Sequence, residues 1–375
     1  MPSLDLFART ALDAIDARQQ RRVLVESVRE GVQIRRDGVD YTSFACNDYL
    51  GLAQRPEVLE AARTVLEKAG GGAGASRLVS GNHDHYAPLE QALAAHKGQE
   101  AGLVFGSGYL TNLGIIPALV GKGDLVLLDK LAHACMLDGA VLSGATMKRF
   151  RHNDAIHLRA LLEEGREHYR HVLIVTEHIF SMDGDRAPLQ KMSAIAREYD
   201  AWLMADDAHG LGFFEEHASL GVDIWMGTMS KALGSYGGYV TGSTPLIEYL
   251  VSAARSLVFT TGLPPATCAG ALAALRIMQR EPELAKRAHG HAVAVAKALK
   301  LPQPAAAILP LMLGSEEAAL AASNTLRQYG LYVQAIRPPT VPPGTSRLRL
   351  AFSAAHTDAQ VEQLIGTLQD VSVSA

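Results

Sequence analysis

Residues 201–210, AWLMADDAHG, place a short apolar run directly before a polar motif. The run Trp202–Ala205 is apolar throughout, which favours a β-strand that is covered on both faces of a sheet. The carboxylates of Asp206 and Asp207 and the imidazole of His209 follow where that strand ends. Taken alone, a D-D-x-H-G motif fits a structural turn or a pair of metal ligands as well as a catalytic site, so its meaning depends on the rest of the chain.

The same arrangement repeats between about residue 100 and residue 245. Short apolar runs predict strands at Leu103–Phe105, Asp124–Leu128, Met147–Phe150, Val172–Thr176, Trp202–Ala205, Ile224–Met226 and Gly238–Thr241. Between them, amphipathic stretches predict helices that include Gly108–Val120, Ala155–Glu163 and Leu189–Tyr199. This alternation predicts an α/β fold with a mainly parallel sheet flanked by helices, whose active site lies beyond the C-terminal ends of the strands.

The pattern changes after residue 264. An Ala-rich helical region at Ala266–Leu301 precedes an α+β segment with strands at Ile308–Leu313, Leu331–Ala335 and Arg347–Phe352 and helices at Glu316–Tyr329 and Asp358–Leu368. We therefore predict an N-terminal helix or arm over residues 1–45, a large domain over residues 46–265, and a smaller α+β C-terminal domain with a linking helix over residues 266–375.

Composition excludes several classes of function. The 375 residues carry a formal net charge of −4 with interspersed signs, so we expect no nucleic-acid partner. No apolar run reaches the ~18–20 residues of a membrane span, and the N-terminus lacks a signal-peptide core. The three cysteines are sparse, odd in number and not in a metal-binding spacing. We expect a soluble cytoplasmic protein with no metal site and no membrane contact.

Lys231 is the most unusual charged residue of the sheet region. It lies in T-M-S-K-A-L-G (Thr228–Gly234), directly after the predicted strand Ile224–Met226. Most lysines are solvated surface charges, but small and apolar residues surround this one. An amine in such surroundings can have a lowered pKa and act as a Schiff-base nucleophile or a proton carrier.

Three further motifs also follow predicted strands. Gly106–Tyr109 opens a helix with a glycine-rich turn, which suits a phosphate although such turns are common. His133 follows the strand Asp124–Leu128, although a lone histidine more often caps or packs than reacts. The motif F-S-M-D-G-D (Phe180–Asp185) contains a strong turn signal and places Ser181 near Asp206.

Because each motif follows a strand, all of them should project into one crevice. They supply a phosphate cradle, a carboxylate, two imidazoles, a hydroxyl and a lysine, which is the set that pyridoxal 5'-phosphate (PLP) requires. We therefore predict PLP as the cofactor. A metal-dependent hydrolase that uses Asp206, Asp207 and His209 is the alternative from another class, and it predicts bound metal and no visible chromophore.

The motifs resemble those of the α-oxoamine synthases, which are fold-type I PLP enzymes that act as homodimers. The resemblance runs from N-D-Y-L-G-L (Asn47–Leu52) through S-R-L-V-S-G-N (Ser76–Asn82) and F-S-M-D-G-D to D-D-A-H-G and T-x-x-K. It implies that Lys231 binds the cofactor covalently and moves the substrate's α-proton, and that Asp206 pairs with the pyridine nitrogen. It also implies that His209 bonds the ring oxygen and that His133 stacks on the ring beside the substrate.

The resemblance implies further contacts around the cofactor. Ser181 should lie near the ring oxygen, and Gly108, Tyr109 and Thr228 should hold the cofactor around its phosphate. In this family the partner subunit also reaches the phosphate, and Thr260 and Thr261 match that region. A homodimer with shared active sites is therefore expected.

The segment A-I-R-P-P-T-V-P (Ala335–Pro342) resembles the branch that condenses L-alanine with pimeloyl-CoA or a pimeloyl-acyl carrier protein in biotin biosynthesis. Branches that use glycine, an acetyltransferase and an aminolevulinate synthase, usually differ within this segment and remain the alternative. Arg349 matches the family's arginine for the amino-acid carboxylate, and Asn47 matches a residue near that carboxylate. Thr340 and an N-terminal arginine, Arg21 in preference to Arg22, match positions near the acyl substrate.

Some residues depart from the family pattern. Without the resemblance, the alternating Arg347 and Arg349 would be read as a solvated face of a strand. His178 stands where the family commonly has a small residue such as glycine, and Tyr109 stands where several members have phenylalanine. The turn His83–Tyr86 is more charged than expected. If His178 and this turn border the acyl channel, they bear on acyl-chain preference and not on the cofactor chemistry.

Overall fold

The computed structural model describes residues 2–18 and 20–373, with side chains as far as residue 370. The chain begins with helix α1 (Ser3–Ala17) and an antiparallel ribbon of β1 (Ser27–Glu30), β2 (Gln33–Arg36) and β3 (Val39–Ser43). Helices α2 (Pro56–Ala69) and α3 (Tyr86–Lys97) follow, separated by a π-helical turn at Arg77–Gly81.

A seven-stranded sheet forms the centre of the molecule. Its strands are β4 (Ala101–Phe105), β5 (Leu125–Asp129), β6 (Thr146–Phe150), β7 (Val172–Glu177), β8 (Trp202–Asp206), β9 (Ile224–Thr228) and β10 (Gly238–Gly242). The spatial order is β4-β10-β9-β8-β7-β5-β6, and of these strands β10 alone runs antiparallel to its neighbours. The predicted strands of the mainly parallel sheet are thus all confirmed.

Helices cover both faces of this sheet. They are α4 (Gly108–Leu119), α5 (Ala134–Ser143), α6 (Ala155–Gly165), α7 (Leu189–Glu198), α8 (Thr244–Ala253) and the short α9 (Arg255–Val258). Because side chains alternate along a strand, Val126 and Met204 pack against α4, α5 and α8, whereas Leu125 and Leu203 pack against α6 and α7. The sheet therefore has an α4/α5 face and an α6/α7 face.

The C-terminal part of the chain is smaller. It contains α10 (Pro265–Arg280), α11 (Glu283–Ala298), β11 (Ile308–Gly314), α12 (Glu316–Gln328), β12 (Leu331–Tyr332), β13 (Gln334–Ile336), β14 (Ser346–Ala351) and α13 (Asp358–Val373). Strands β11, β14 and β13 form one antiparallel sheet, while β12 pairs in parallel with β3 of the N-terminal ribbon.

Two details refine the predicted C-terminal part. The helical region Ala266–Leu301 is confirmed as helical, but it is not continuous, because Pro282 cannot continue the hydrogen-bond ladder of α10. The strand Leu331–Ala335 is divided at Val333 between two different sheets. The division of the chain at residues 45 and 265 stays a prediction. No helix in the described part of the chain is long and apolar enough to cross a membrane.

Candidate active site

A cavity of about 180 Å³ opens at the C-terminal ends of β7, β8 and β9. It is lined by Ser107, Gly108, Tyr109, His133, Cys135, Glu177, Asp206, Ala208, His209, Met226, Thr228, Ser230 and Lys231. The structure thus brings together most of the residues that the sequence predicts for cofactor binding and catalysis.

Lys231 and His209 contact each other in this cavity. The Nζ atom of Lys231 lies 2.9 Å from Nε2 of His209, and Nδ1 of His209 lies 2.6 Å from the hydroxyl of Tyr49. Burial lowers the pKa of Lys231, while the nearby carboxylates Asp206 and Glu177 act in the opposite direction. The lowered pKa increases the fraction of neutral amine, which is the nucleophilic and proton-accepting form.

Asp206 is the last residue of β8 and is 5% exposed. Its direct hydrogen bonds come from neutral donors, the side chain of Asn112 at 3.1 Å and the backbone N–H of Ala208 at 2.9 Å. Burial raises the pKa of Asp206, and the charge of Lys231 opposes that rise. A cationic N–H group such as a protonated pyridine nitrogen would supply the charge that this carboxylate lacks, so the residues present fit PLP.

Glu177 ends β7 directly beside Asp206 in the sheet register. Its two carboxylate oxygens accept the backbone N–H groups of His133 at 2.7 Å and of Ser181 at 3.1 Å. Burial, together with the charge of Asp206, raises the pKa of Glu177 to about 8. Glu177 therefore fixes the backbone at two residues that the sequence assigns to the cofactor.

The phosphate end of the cavity lies at the start of α4. Ser107 caps this helix, and the first backbone N–H groups of the helix have no partner within it. A β-carbon at Gly108 would lie 3.2 Å from Cε of Met226 and 3.3 Å from Cβ of Thr228, so a side chain here would require these neighbours to shift. Backbone donors at a helix N-terminus, with the nearby hydroxyl of Thr228, are suited to bind a phosphate.

Arg349 lies on β14 and is buried, with 6% exposure. It donates to the backbone oxygen of Ser181 at 2.5 Å, to Oδ1 of Asn47 at 3.1 Å and to the hydroxyl of Tyr49 at 3.3 Å. Arg347 is 3% exposed and pairs with Asp183 at 2.6 Å. A solvated face for these two arginines is therefore wrong. Tyr49 connects Arg349 to His209 and hence to Lys231.

Three predicted cofactor contacts lie outside the cavity lining. Ser181 is buried, and its backbone N–H and carbonyl groups bond Glu177 and Arg349. Thr261 forms an isolated bridge with Ser76, and Thr260 is half-buried near Gly106. Contacts of Thr260 and Thr261 with a phosphate stay a prediction that requires a second subunit.

Arg21 and Thr340 line a second cavity of about 860 Å³, which shares no lining residue with the first. Arg22 and Arg337 also line it, with apolar side chains of α1. The structure thus brings together the two residues predicted for the acyl substrate. Arg21 also pairs with Asp16 at 2.6 Å.

The arrangement expected for a metal-dependent hydrolase is not formed. Asp206 and His209 line the cavity, but Asp207 is on the α6/α7 face and pairs with Lys97. Among the described residues, the group that could hold a metal is His178, Asp207 and His217. The ammonium of Lys97 already contacts both Asp207 and His217 there.

Four residues of the site were not predicted from the sequence: Tyr49, Asn112, Cys135 and Glu177. The signal for Glu177 was available, because it follows an apolar run as Asp206 does, but the strand was predicted to end one residue earlier. Asn112 lies inside a helix, and nothing in its local sequence indicates a partner on β8. Tyr49 is part of N-D-Y-L-G-L, where its hydroxyl contacts could not be inferred.

Comparison with known proteins gives consistent matches. Residues 39–368 match the aminotransferase class I and II family. The 8-amino-7-oxononanoate synthase of Methylobacterium sp. (strain 4-46) is 54% identical, covering 100% of this chain and 98% of that protein. An enzyme of the same name from Methylorubrum extorquens is 54% identical, covering 99% of this chain and 96% of that protein. A solved serine palmitoyltransferase from S. paucimobilis with a bound PLP-myriocin aldimine is 32% identical, with a TM-score of 0.92 and coverage of 100% and 99%. These matches confirm the predicted fold class.

Proposed function

This chain belongs to the aminotransferase class I and II family, and we propose that it is a PLP-dependent acyltransferase of biotin biosynthesis. In the proposed reaction, L-alanine condenses with the pimeloyl thioester of CoA or of an acyl carrier protein. The products are 8-amino-7-oxononanoate, CO2 and the free carrier. The relatives of that name that are 54% identical over nearly the whole chain support this choice of reaction.

One observation carries the proposal: the connected set of Lys231, His209, Tyr49 and Arg349 beside the Asp206 carboxylate. When bound, PLP supplies an aldehyde for amines and an electron-withdrawing ring that stabilises negative charge on an α-carbon. Lys231 and Asp206 would hold this group at its two reactive ends, and the start of α4 would hold its phosphate.

Arg349 would bind the substrate carboxylate in a bidentate manner, as guanidinium groups do. Because Arg349 is tied to Lys231 through Tyr49 and His209, a bound amino acid would present its α-carbon near the Lys231 amine. Nζ of Lys231 would then accept the α-proton, which its lowered pKa favours. The acyl chain would occupy the second cavity, with its distal carboxylate near Arg21 and Thr340.

A homodimer with shared active sites is part of this proposal. Large apolar side chains near the phosphate end are exposed, among them Val79 at 80% and Phe259 at 71%. Thr260 follows Phe259 but does not line the cavity of its own chain. A second copy that covers these side chains would bring its own Thr260 to the phosphate. A cytoplasmic location is also proposed, and the three cysteines, all free thiols, support it.

The competing function is a glycine-using condensation of the same chemistry. Purified protein with PLP and pimeloyl-CoA, supplied with L-alanine or glycine and assayed by product mass, separates the two. We expect a visible absorbance band that is lost in Lys231→Ala, and product from L-alanine. Preference for glycine would reassign the substrate. A spectrum without a visible band after PLP addition would refute the cofactor.

A further inference from the structure

A second polar cluster lies behind the cavity, on the α6/α7 face of the sheet. This back-face network consists of Lys97, His178, Arg186, Asp207 and His217. All of its members except Arg186 are at most 1% exposed. His178 and Asp207 directly follow Glu177 and Asp206, and since side chains alternate along a strand, the two pairs point to opposite faces.

We propose that His178 is a positioning residue, which acts through the back-face network to hold the Asp206 carboxylate in place for the pyridine nitrogen of PLP. The inference rests on the proposed PLP-dependent function and concerns a residue that never touches the cofactor.

The partners of His178 define its protonation. Nε2 of His178 accepts a hydrogen bond from Nε of Arg186 at 3.1 Å, and Nδ1 lies 2.6 Å from Oδ1 of Asp207. A guanidinium group only donates, so Nε2 has to be the acceptor and Nδ1 has to carry the proton. His178 therefore donates to Asp207 through Nδ1 and accepts from Arg186 through Nε2.

His178 is bonded to both aspartates of the D-D-A-H-G turn. Its backbone N–H donates to the carbonyl oxygen of Asp206 at 2.8 Å, while its ring donates to the side chain of Asp207. The carbonyl oxygen of Asp207 in turn accepts the N–H groups of Gly210 and Leu211, both at 3.2 Å. The turn that carries Asp206 and His209 is thus fixed from the side opposite the cofactor.

Arg186 connects the same ring to the F-S-M-D-G-D loop. It pairs with Glu216 at 2.7 Å and forms an isolated bridge with Ile179. This loop contains Ser181, whose carbonyl oxygen accepts from Arg349. A single buried ring therefore links the loop beside the substrate arginine to the turn beside the pyridine site.

The network also balances its own charge. Burial alone would raise the pKa of Asp207. The Lys97 ammonium and His178 outweigh burial and hold this pKa well below its usual range. Asp207 therefore stays ionised as a firm acceptor for His178. Removal of the His178 donor would leave a buried carboxylate short of one hydrogen bond and loosen the turn.

The test measures PLP binding and not turnover. Apoprotein is titrated with PLP, the dissociation constant is read from the visible absorbance, and visible circular dichroism of bound PLP reports the ring's surroundings. We expect His178→Leu to raise the dissociation constant about tenfold, as the loss of a hydrogen bond to a charged group would do, and to change the dichroism. His178→Asn keeps a donor at the Nδ1 position, so its PLP dissociation constant should stay within about threefold of the parent's value.

His291→Leu is the matched control. His291 is a buried histidine of α11 whose ring lies 3.4 Å from Asp358, away from the cavity lining. If both leucine variants melt at lower temperature but bind PLP with the parent's constant and dichroism, His178 is structural only and the inference is wrong. Should His178→Leu fail to fold, His178→Gln replaces it, because its amide oxygen can still accept from Arg186 while the donor to Asp207 is lost. A PLP dissociation constant unchanged from the parent would then overturn the inference. A parent protein that binds no PLP would instead overturn the proposed function, and this inference with it.

Discussion

The end of β8 carries two neighbouring carboxylates, Asp206 and Asp207, with opposite electrostatics. On the α4/α5 face, burial raises the pKa of Asp206, whose direct partners are neutral. On the α6/α7 face, Lys97 and His178 overcome burial and lower the pKa of Asp207. The carboxylate on the α4/α5 face has no charged hydrogen-bond partner, whereas the carboxylate on the α6/α7 face is paired with an ammonium group. Adjacent residues at the end of one strand can thus supply a binding site and its support, because their side chains point to opposite faces of the sheet.

The largest expected effect is on the stability of the protein and comes from the α6/α7 face. Asp207→Asn leaves the fully buried Lys97 without its counter-charge, and we expect the free energy of unfolding to fall by about 3–5 kcal/mol. Urea unfolding of the apoprotein measures this loss. The double variant Lys97→Met/Asp207→Asn should regain most of it, and a double variant no more stable than the single one would contradict the assignment of a charge pair.

On the α4/α5 face, removal of the carboxylate should have the opposite effect on stability. Asp206→Asn removes a buried carboxylate that has no charged hydrogen-bond partner, so the apoprotein should unfold at the same or a higher urea concentration. Turnover should fall by about 10²–10³-fold, because the pyridine nitrogen loses its charge partner. Steady-state product formation and urea midpoints are measured on the same sample. A large loss of apoprotein stability would mean that Asp206 is already compensated without the cofactor.

Glu177 should make the apoprotein sensitive to pH. Its pKa is raised from 4.5 to about 8, so between these values the folded state holds a proton that the unfolded state has released. The free energy of unfolding should therefore fall as the pH rises through this window. In Glu177→Gln the slope should decrease by about one proton. Chemical unfolding at several pH values, compared between parent and variant, checks this, and parallel curves would exclude Glu177 as the source.

The smallest effect is expected at His152, which lies between Asp129 and Asp185 at 3.0 and 2.8 Å. Although burial opposes it, hydrogen bonds to these two carboxylates raise the pKa of His152 from 6.5 to about 10. Its stabilisation is complete below pH 6.5 and is lost as the pH rises toward 10. His152→Gln should therefore melt at lower temperature than the parent at pH 6, and the difference should shrink by pH 10. A difference independent of pH would show that the charge is not involved.

Much of the fold could be predicted because the central strands are apolar throughout and their ends are marked by polar motifs. The D-D-A-H-G motif indicated the site, but not that its two aspartates serve opposite faces. That distinction depends on which face of β8 meets α4 and α5, which is a property of packing and not of local sequence. Asn112 was missed for the same reason, whereas Glu177 was missed because its strand was predicted to end at Thr176. The interpretation of Arg347 and Arg349 as a solvated face of a strand was wrong because β14 is covered on both sides.

The pairing of β3 with β12 has a consequence for how the protein is made. β3 ends at Ser43, and its neighbour Leu331–Tyr332 emerges from the ribosome only after nearly the whole chain has been synthesised. The central sheet and Lys231 are complete by Gly242, long before Arg349 exists. Since domains form as the chain emerges, a nascent chain would possess its cofactor residues before its substrate arginine. Throughout that interval, the amino-terminal ribbon lacks β12, the strand that pairs with β3.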